Sequence, residues 1–307
     1  MVRFSSGGGW NLRTTNDIKA ICSILVMCSH IFPCFSWAGY ISVGVFFMFT
    51  GYGLVYSWKA KADYLNGFLR KRVVRVLWPY ITANCFAILI YAIFDNGVIF
   101  RDALISFVSL RYLSSAWYVF AIILFYIVFY MIGKRAHNEK NLVMLLIAFW
   151  IVYFLVCVVT HQKTFWYNSS FCFVLGVVGA IQKQYSLKVN SKGKLFAYSV
   201  ILVIAIAMIA FSPRKLILDL AFSTLFSALI AVFVFTFEIK NEVLDKLGGI
   251  SYEVYLVHPS VLFMIKQFGM GIWETALLTI ILSIVFAYFF NKLNHKLFML
   301  SNIPFSN

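Results

Sequence analysis

Ten windows of this chain, at residues 17–36, 38–58, 74–94, 115–133, 141–160, 165–182, 195–212, 217–237, 250–268 and 271–291, are apolar over about the length a helix needs to cross a bilayer. That repetition limits the fold more than any motif does. Water does not reach the hydrocarbon to pair with exposed N–H and C=O groups, so a spanning chain must be helical or a closed barrel. None of the windows shows the alternation of lipid-facing and lumen-facing residues that marks barrel strands. The sequence therefore predicts an all-α, polytopic membrane protein of about ten transmembrane helices. Composition agrees: 62% hydrophobic residues, 12% charged ones and a mean hydropathy of +0.88 lie outside the range of soluble domains.

Lysine and arginine set the orientation. With the N-terminus in the cytoplasm, 20 of the 26 basic residues fall inside, and only Arg101, Arg111, Lys163, Arg214, Lys215 and Lys266 fall outside. Both termini are thus expected to be cytoplasmic. The net charge of +15 and the pI near 9.6 then follow from the positive-inside bias, and are not read as nucleic-acid binding. Residues 1–14, with "SSGGG", read as a flexible inner tail, residues 15–298 as one ten-helix membrane domain, and residues 299–307 as a short second tail. The first span is full length, carries a lysine and lacks a small-residue cleavage pattern, so it does not read as a cleavable signal peptide. The cysteines Cys22, Cys28, Cys34, Cys85, Cys157 and Cys172 lie in or at the ends of spans without metal-ligand spacing. They read as packing residues, and no metal is expected. Asn168, in "NSS" at an outer span edge, fits a glycosylation sequon.

Ionisable residues within such windows are costly and mark candidate sites. Lys19 and His30 stand eleven residues apart, about three turns and about 16 Å of rise, which leaves both on nearly one helical face. They are expected to point into one cavity, with a cation nearer the inner end and, deeper in, a group that exchanges protons near neutral pH. The alternatives are snorkelling of Lys19 to the interface and a bond from His30 to a neighbouring helix. His258 also lies within a span, and Glu253, in the same stretch "GGISYEVYLVHPSVL", is the carboxylate most clearly inside one. Pro259 lacks a backbone donor and disfavours helical geometry at His258, so a kink that frees the carbonyl of Tyr255 is expected. Glu253 and His258 lie roughly 140° apart around a helix and do not read as a dyad. Glu253 is instead expected to pair with a cation from another helix. Arg70, Lys71, Arg72 and Arg75 collect in "FLRKRVVRVLWPY" before the third span, with Arg72 and Arg75 on one face. Guanidinium forks there suit phosphates, although a positive-inside anchor for anionic lipid has the same composition.

Taken in order along most of the chain, these features resemble the acyltransferase-3 family of multi-pass membrane O-acyltransferases. Lys19 and His30 match its basic residue and histidine with ten residues between them, and "GVFFMFTGY" is similar to its Phe-Phe-x-x-Ser-Gly-Phe/Tyr. Arg72-x-x-Arg75 matches next, "SAWYVFAIILFY" looks like its middle Trp-Tyr segment, and "GGISYEVYLVH" is similar to its late Ser-Tyr-x-x-Tyr-Leu-x-His. Lys19 stands where arginine is common and Thr50 where serine is usual. Lysine keeps the charge but loses the bidentate fork.

The resemblance implies transfer of an acyl group, acetyl above all, from cytoplasmic acyl-CoA to a hydroxyl of a cell-surface polysaccharide or lipid-linked sugar, at the inner membrane of a bacterium. It implies phosphate binding by Arg72 and Arg75 with Arg70 beside them, and Lys19 at the mouth or along the thioester arm. His30 would be the general base or a transient acyl carrier. Thr50, Tyr52 and Trp117 would line the acceptor side, with Glu253, Tyr255 and His258 at the acceptor or in support. Two other classes stay open at this point. A secondary transporter also has many spans with polar residues near the midplane, although no two-half symmetry stands out here. A non-catalytic scaffold leaves Glu253 and His258 without a reason.

Overall fold

The computed structural model describes residues 2–4, 11–95, 100–136, 138–182 and 216–300, with isolated helical positions between 193 and 207. Among these residues there are eleven α-helices: α1 Leu12–Ile31, α2 Ser36–Ala60, α3 Phe68–Phe94, α4 Phe100–Ser106, α5 Ala116–Arg135, α6 Glu139–Val159, α7 Cys172–Gln182, α8 Leu216–Thr236, α9 Glu242–Gly249, α10 Ser251–Lys266 and α11 Ile272–Leu300. Two short strands, β1 Val2–Phe4 and β2 Phe237–Ile239, pair antiparallel. The first strand comes from the segment expected to be a tail, whose "SSGGG" lies outside the described residues, as do residues 301–307 of the second tail.

Five helical stretches, Pro33–Ala60, Phe68–Phe94, Ala116–Arg135, Glu139–Val159 and Ile272–Phe298, are long and apolar enough to cross a membrane. α1, α7, α8 and α10 coincide with four further expected windows, while that at 195–212 falls largely outside the described residues. The first helix runs earlier than its apolar window. Asn11 accepts a hydrogen bond from the backbone N–H of Arg13 at 3.0 Å and starts α1 there. At the other end, Pro33 holds Phe32 in an extended conformation (φ −106°, ψ 115°) and stops the helix at Ile31. His30, expected near the far end of the first span, therefore sits in the last turn of α1.

The chain divides into two compact units. One comprises Met1–Cys22, Trp37–Asn66 and Val128–Gly248. At its centre is α2, with 72% of its apolar window buried, whereas only 22% of the window of α6 is buried and the rest is left for lipid. The reason lies in the small residues of α2. A Cβ on Gly51 would lie 2.1 Å from the carbonyl oxygen of Phe173, and one on Gly176 would lie 2.0 Å from that of Met48, so α2 and α7 touch backbone to backbone. Hydroxyl and thiol groups tie α8 to this pair: Ser223 donates to the carbonyl of Asn168, and Cys172 to the carbonyl of Ser223 at 3.5 Å. The sequon reading fails here. Asn168 is 4% exposed, its side chain accepts from Ser169 Oγ, and Ser170 is fully buried, so no glycosylating enzyme reaches it.

The other unit comprises Ser23–Ser36, Gly67–Ile127 and Gly249–Asn307. Its frame is α3, α10 and α11 packed on one another. Tyr91 stacks on Phe263 with ring centroids 4.0 Å apart, and Phe86 meets Phe286 and Phe290 of α11. Polar pairs cross the same seams. Thr82 donates to Asn294 Oδ1 at 3.1 Å, Asn84 donates to Ser106 Oγ at 2.8 Å, and the hydroxyl of Tyr80 reaches the carbonyl of Phe107 at 2.9 Å. Such bonds hold helices together where no hydrophobic force between them is available.

Candidate functional site

The second unit brings the two span histidines together. His30 in the last turn of α1 and His258 in α10 have ring centroids 5.3 Å apart, with planes inclined by 31°. The two rings differ in access, because His30 is exposed and His258 is 1% exposed. A second contact fixes how the helices meet: Ser23 Oγ of α1 lies 3.5 Å from the carbonyl oxygen of Ser251 of α10. Ser23 precedes His30 by seven residues and Ser251 precedes His258 by seven, so α1 and α10 run in the same direction and in register over two turns.

The proline of α10 has the effect expected of it on the backbone. Residue 259 would ordinarily donate its N–H to the carbonyl of Tyr255, and Pro259 has none. The vacant acceptor is taken by His258, whose Nδ1 donates to Tyr255 O at 2.8 Å. The helix nevertheless runs without a break from Ser251 to Lys266. With Nδ1 carrying the proton, Nε2 of His258 is left with its lone pair and has no hydrogen-bond partner among the described residues. From His258 a series of ring contacts leads away through Tyr255 (5.9 Å between centroids) and Tyr118 (5.4 Å) to Trp117 (6.0 Å). Tyr255, Tyr118 and Trp117 are all buried, and Ser115 beside them donates to the carbonyl of Leu256 at 3.3 Å.

Among the described residues, Glu253 has an amide rather than the expected cation as its partner. Its Oε1 accepts from Asn291 Nδ2 of α11 at 2.9 Å, and the residue is 7% exposed. An amide can satisfy a buried carboxyl in either protonation state without bringing a second charge into the bilayer, which a lysine or arginine would do. Asn291 was not singled out from the sequence, although an asparagine at the end of an apolar window is itself a signal.

The basic run lies at the start of α3. Arg70 is exposed, Arg72 and Arg75 are half-buried, and the left-handed Gly67 (φ 68°) sets the helix entry. Tyr252 of α10 donates its hydroxyl to the carbonyl of Val76 at 3.0 Å, immediately after Arg75. Six residues on from Tyr252, about 9 Å along the helix axis, comes His258. The unit thus ties the start of α3, which carries Arg70, Arg72 and Arg75, to α10, whose His258 meets His30.

Lys19, Thr50 and Tyr52 belong to the other unit. Lys19 is half-buried on α1. Thr50 donates to the carbonyl of Phe46 at 2.9 Å within α2, and buried Tyr52 stacks on Tyr56 with planes 11° apart. Gly51 between them lies directly against the backbone of α7. Among the described residues, no group of three or more His, Cys, Asp or Glu side chains is placed to hold a metal ion.

Chemically, the second unit offers an accessible imidazole backed by a buried one whose tautomer is fixed, and arginines on α3, which α10 meets through Tyr252. A family model for an acyltransferase domain matches residues 17–292, from two positions before Lys19 to one beyond Asn291. No curated protein and no solved structure matches the chain. A match over that length, with the motif residues inside it, shows that the chain belongs to the acyltransferase-3 family.

Proposed function

We propose that this membrane acyltransferase takes an acyl group, most simply acetyl, from cytoplasmic acyl-CoA and transfers it to a hydroxyl of a cell-surface polysaccharide or a lipid-linked sugar precursor in a bacterial inner membrane. The observation that carries the proposal is that α10, which holds His258 against His30, also bonds α3 at Val76, the residue after Arg75. A donor with a phosphate-rich head and a thin arm ending in a thioester needs charge at one place and a base at another, at a fixed distance. Arg72 and Arg75, with exposed Arg70 beside them, hold the phosphates as bidentate donors. His30 removes the proton of the acceptor hydroxyl as it attacks the thioester carbonyl. It then returns that proton to the departing thiolate, so one C–O bond forms, one C–S bond breaks and no net charge is created. Trp117, buried at the end of the ring series from His258, serves the acceptor.

The test is incubation of the purified protein in nanodiscs with radiolabelled acetyl-CoA and an extract of membrane glycolipids, following binding and CoA release together. Saturable binding, weakened by Arg72→Ala, and release of CoA, abolished by His30→Ala, are the expected results. Failure of well-folded wild-type protein to bind acetyl-CoA would overturn the proposal and reinstate a transporter.

A further inference from the structure

We infer that His258 is the positioning residue of the acyl transfer, acting as the buried acceptor that sets the tautomer of His30, and that Pro259 is what makes it one. The inference rests on the acyl-CoA reading above and concerns how its base is prepared. A histidine can serve as a general base only if the nitrogen facing the substrate carries a lone pair, and in a neutral imidazole the proton must then be held on the other nitrogen. Left alone, His30, exposed at the end of α1, populates both tautomers. Something must select one.

His258 has the required properties. Its Nδ1 is committed as a donor to Tyr255 O at 2.8 Å, so its Nε2 must be an acceptor. That acceptor is buried in a residue 1% exposed and has no partner among the described residues, an arrangement whose cost is relieved when a donor arrives. His30 is near enough to be that donor. Each ring nitrogen lies about 1.1 Å from its ring centre, so a centroid separation of 5.3 Å allows the two nitrogens to approach to about 3 Å, within hydrogen-bond range. A turn of the His30 side chain closes the contact. One nitrogen of His30 then donates to His258, and the other presents its lone pair to the acceptor hydroxyl. The order Tyr255 carbonyl, His258, His30, substrate is a relay of orientation in which an outer group fixes the tautomer of the base, as the third member of a hydrolase triad does.

Proline is the origin of this polarity. An ordinary residue at 259 would place its own N–H on Tyr255 O, and His258 would lose the partner that assigns its proton. A kink or a packing preference alone would not require a histidine immediately before the proline. The register of α1 against α10, set by Ser23 and Ser251, brings His30 to the same level.

Three variants test this in nanodiscs with acetyl-CoA, reading kcat and KM from CoA release, with gel filtration and thermal unfolding as checks on folding. His258→Asn keeps a donor for Tyr255 O and removes the Nε2 acceptor; it is expected to lower kcat about 100-fold with KM for acetyl-CoA unchanged. His258→Gln places an acceptor oxygen near the lost Nε2, and is expected to restore kcat to within about tenfold of wild type. Pro259→Ala removes no polar group and improves helix propensity, yet it is expected to lower kcat about tenfold by competing for Tyr255 O. A wild-type rate in His258→Asn or Pro259→Ala, or equal loss in the Asn and Gln variants, overturns the inference while leaving the acyl-CoA reading intact. Absence of turnover by the wild type overturns that reading and this inference with it.

Discussion

The two units bury polar groups in opposite ways. In the unit built on α2, hydroxyls, thiols and glycines let helices approach until Gly51 and Gly176 meet the carbonyls of the facing helix. In the unit built on α3 and α10, prolines sit inside the helices, at Pro79 and Pro259, and side chains of α10 hydrogen-bond the backbone close to each of them. Small residues make helices inseparable. At Pro259 the opened carbonyl of Tyr255 accepts the N–H of His258, which a closed one would not.

If that contrast is right, substitutions in the two units should fail differently. The largest effect is expected for His30→Ala, a loss in kcat of about 10³-fold, close to 4 kcal/mol of barrier, with an unchanged melting temperature. A parallel fall in melting temperature would move His30 to the packing side of the comparison. Next comes Gly51→Ala, which drives a methyl group into the backbone of α7 and is expected to cost about 3 kcal/mol of stability, read as a lower melting temperature or loss of the monodisperse peak. Normal stability there would show that α2 and α7 can part. Arg72→Ala should raise KM for acetyl-CoA about thirtyfold, near 2 kcal/mol, with kcat retained, as expected for a charge-assisted phosphate contact. A fall in kcat instead would place Arg72 at the chemistry rather than at the donor's head. Smallest is Tyr252→Phe, which deletes the bond to Val76 O and should cost about 1 kcal/mol of stability. A rise in KM without loss of stability would instead show that this bond aligns the arginines with α10.

The sequence made some of this legible. Apolar windows located most helices, because hydropathy over twenty residues reports the solvent directly. The resemblance marked His30 and His258 as separate candidates without pairing them, while proline chemistry alone pointed to the freed carbonyl of Tyr255. What escaped depends on partners far along the chain. Asn291 satisfies Glu253 from 38 residues away, and β1 pairs with a strand more than 230 residues on; neither register is written locally. The bounds of α1 were misplaced for another reason: the window followed hydrophobicity, while the helix obeys Asn11 and Pro33. α4 and α9, seven and eight residues long, are too short for a span search to find.

The matched intervals between Ser23 and His30 and between Ser251 and His258 carry a consequence for how such a chain can vary. Whatever side chains residues 24–29 and 252–257 carry, their number cannot change. Removing one residue from either interval turns its histidine about 100° around the helix and lowers it by about 1.5 Å, so that all the functional groups survive in the sequence while the two rings no longer face each other.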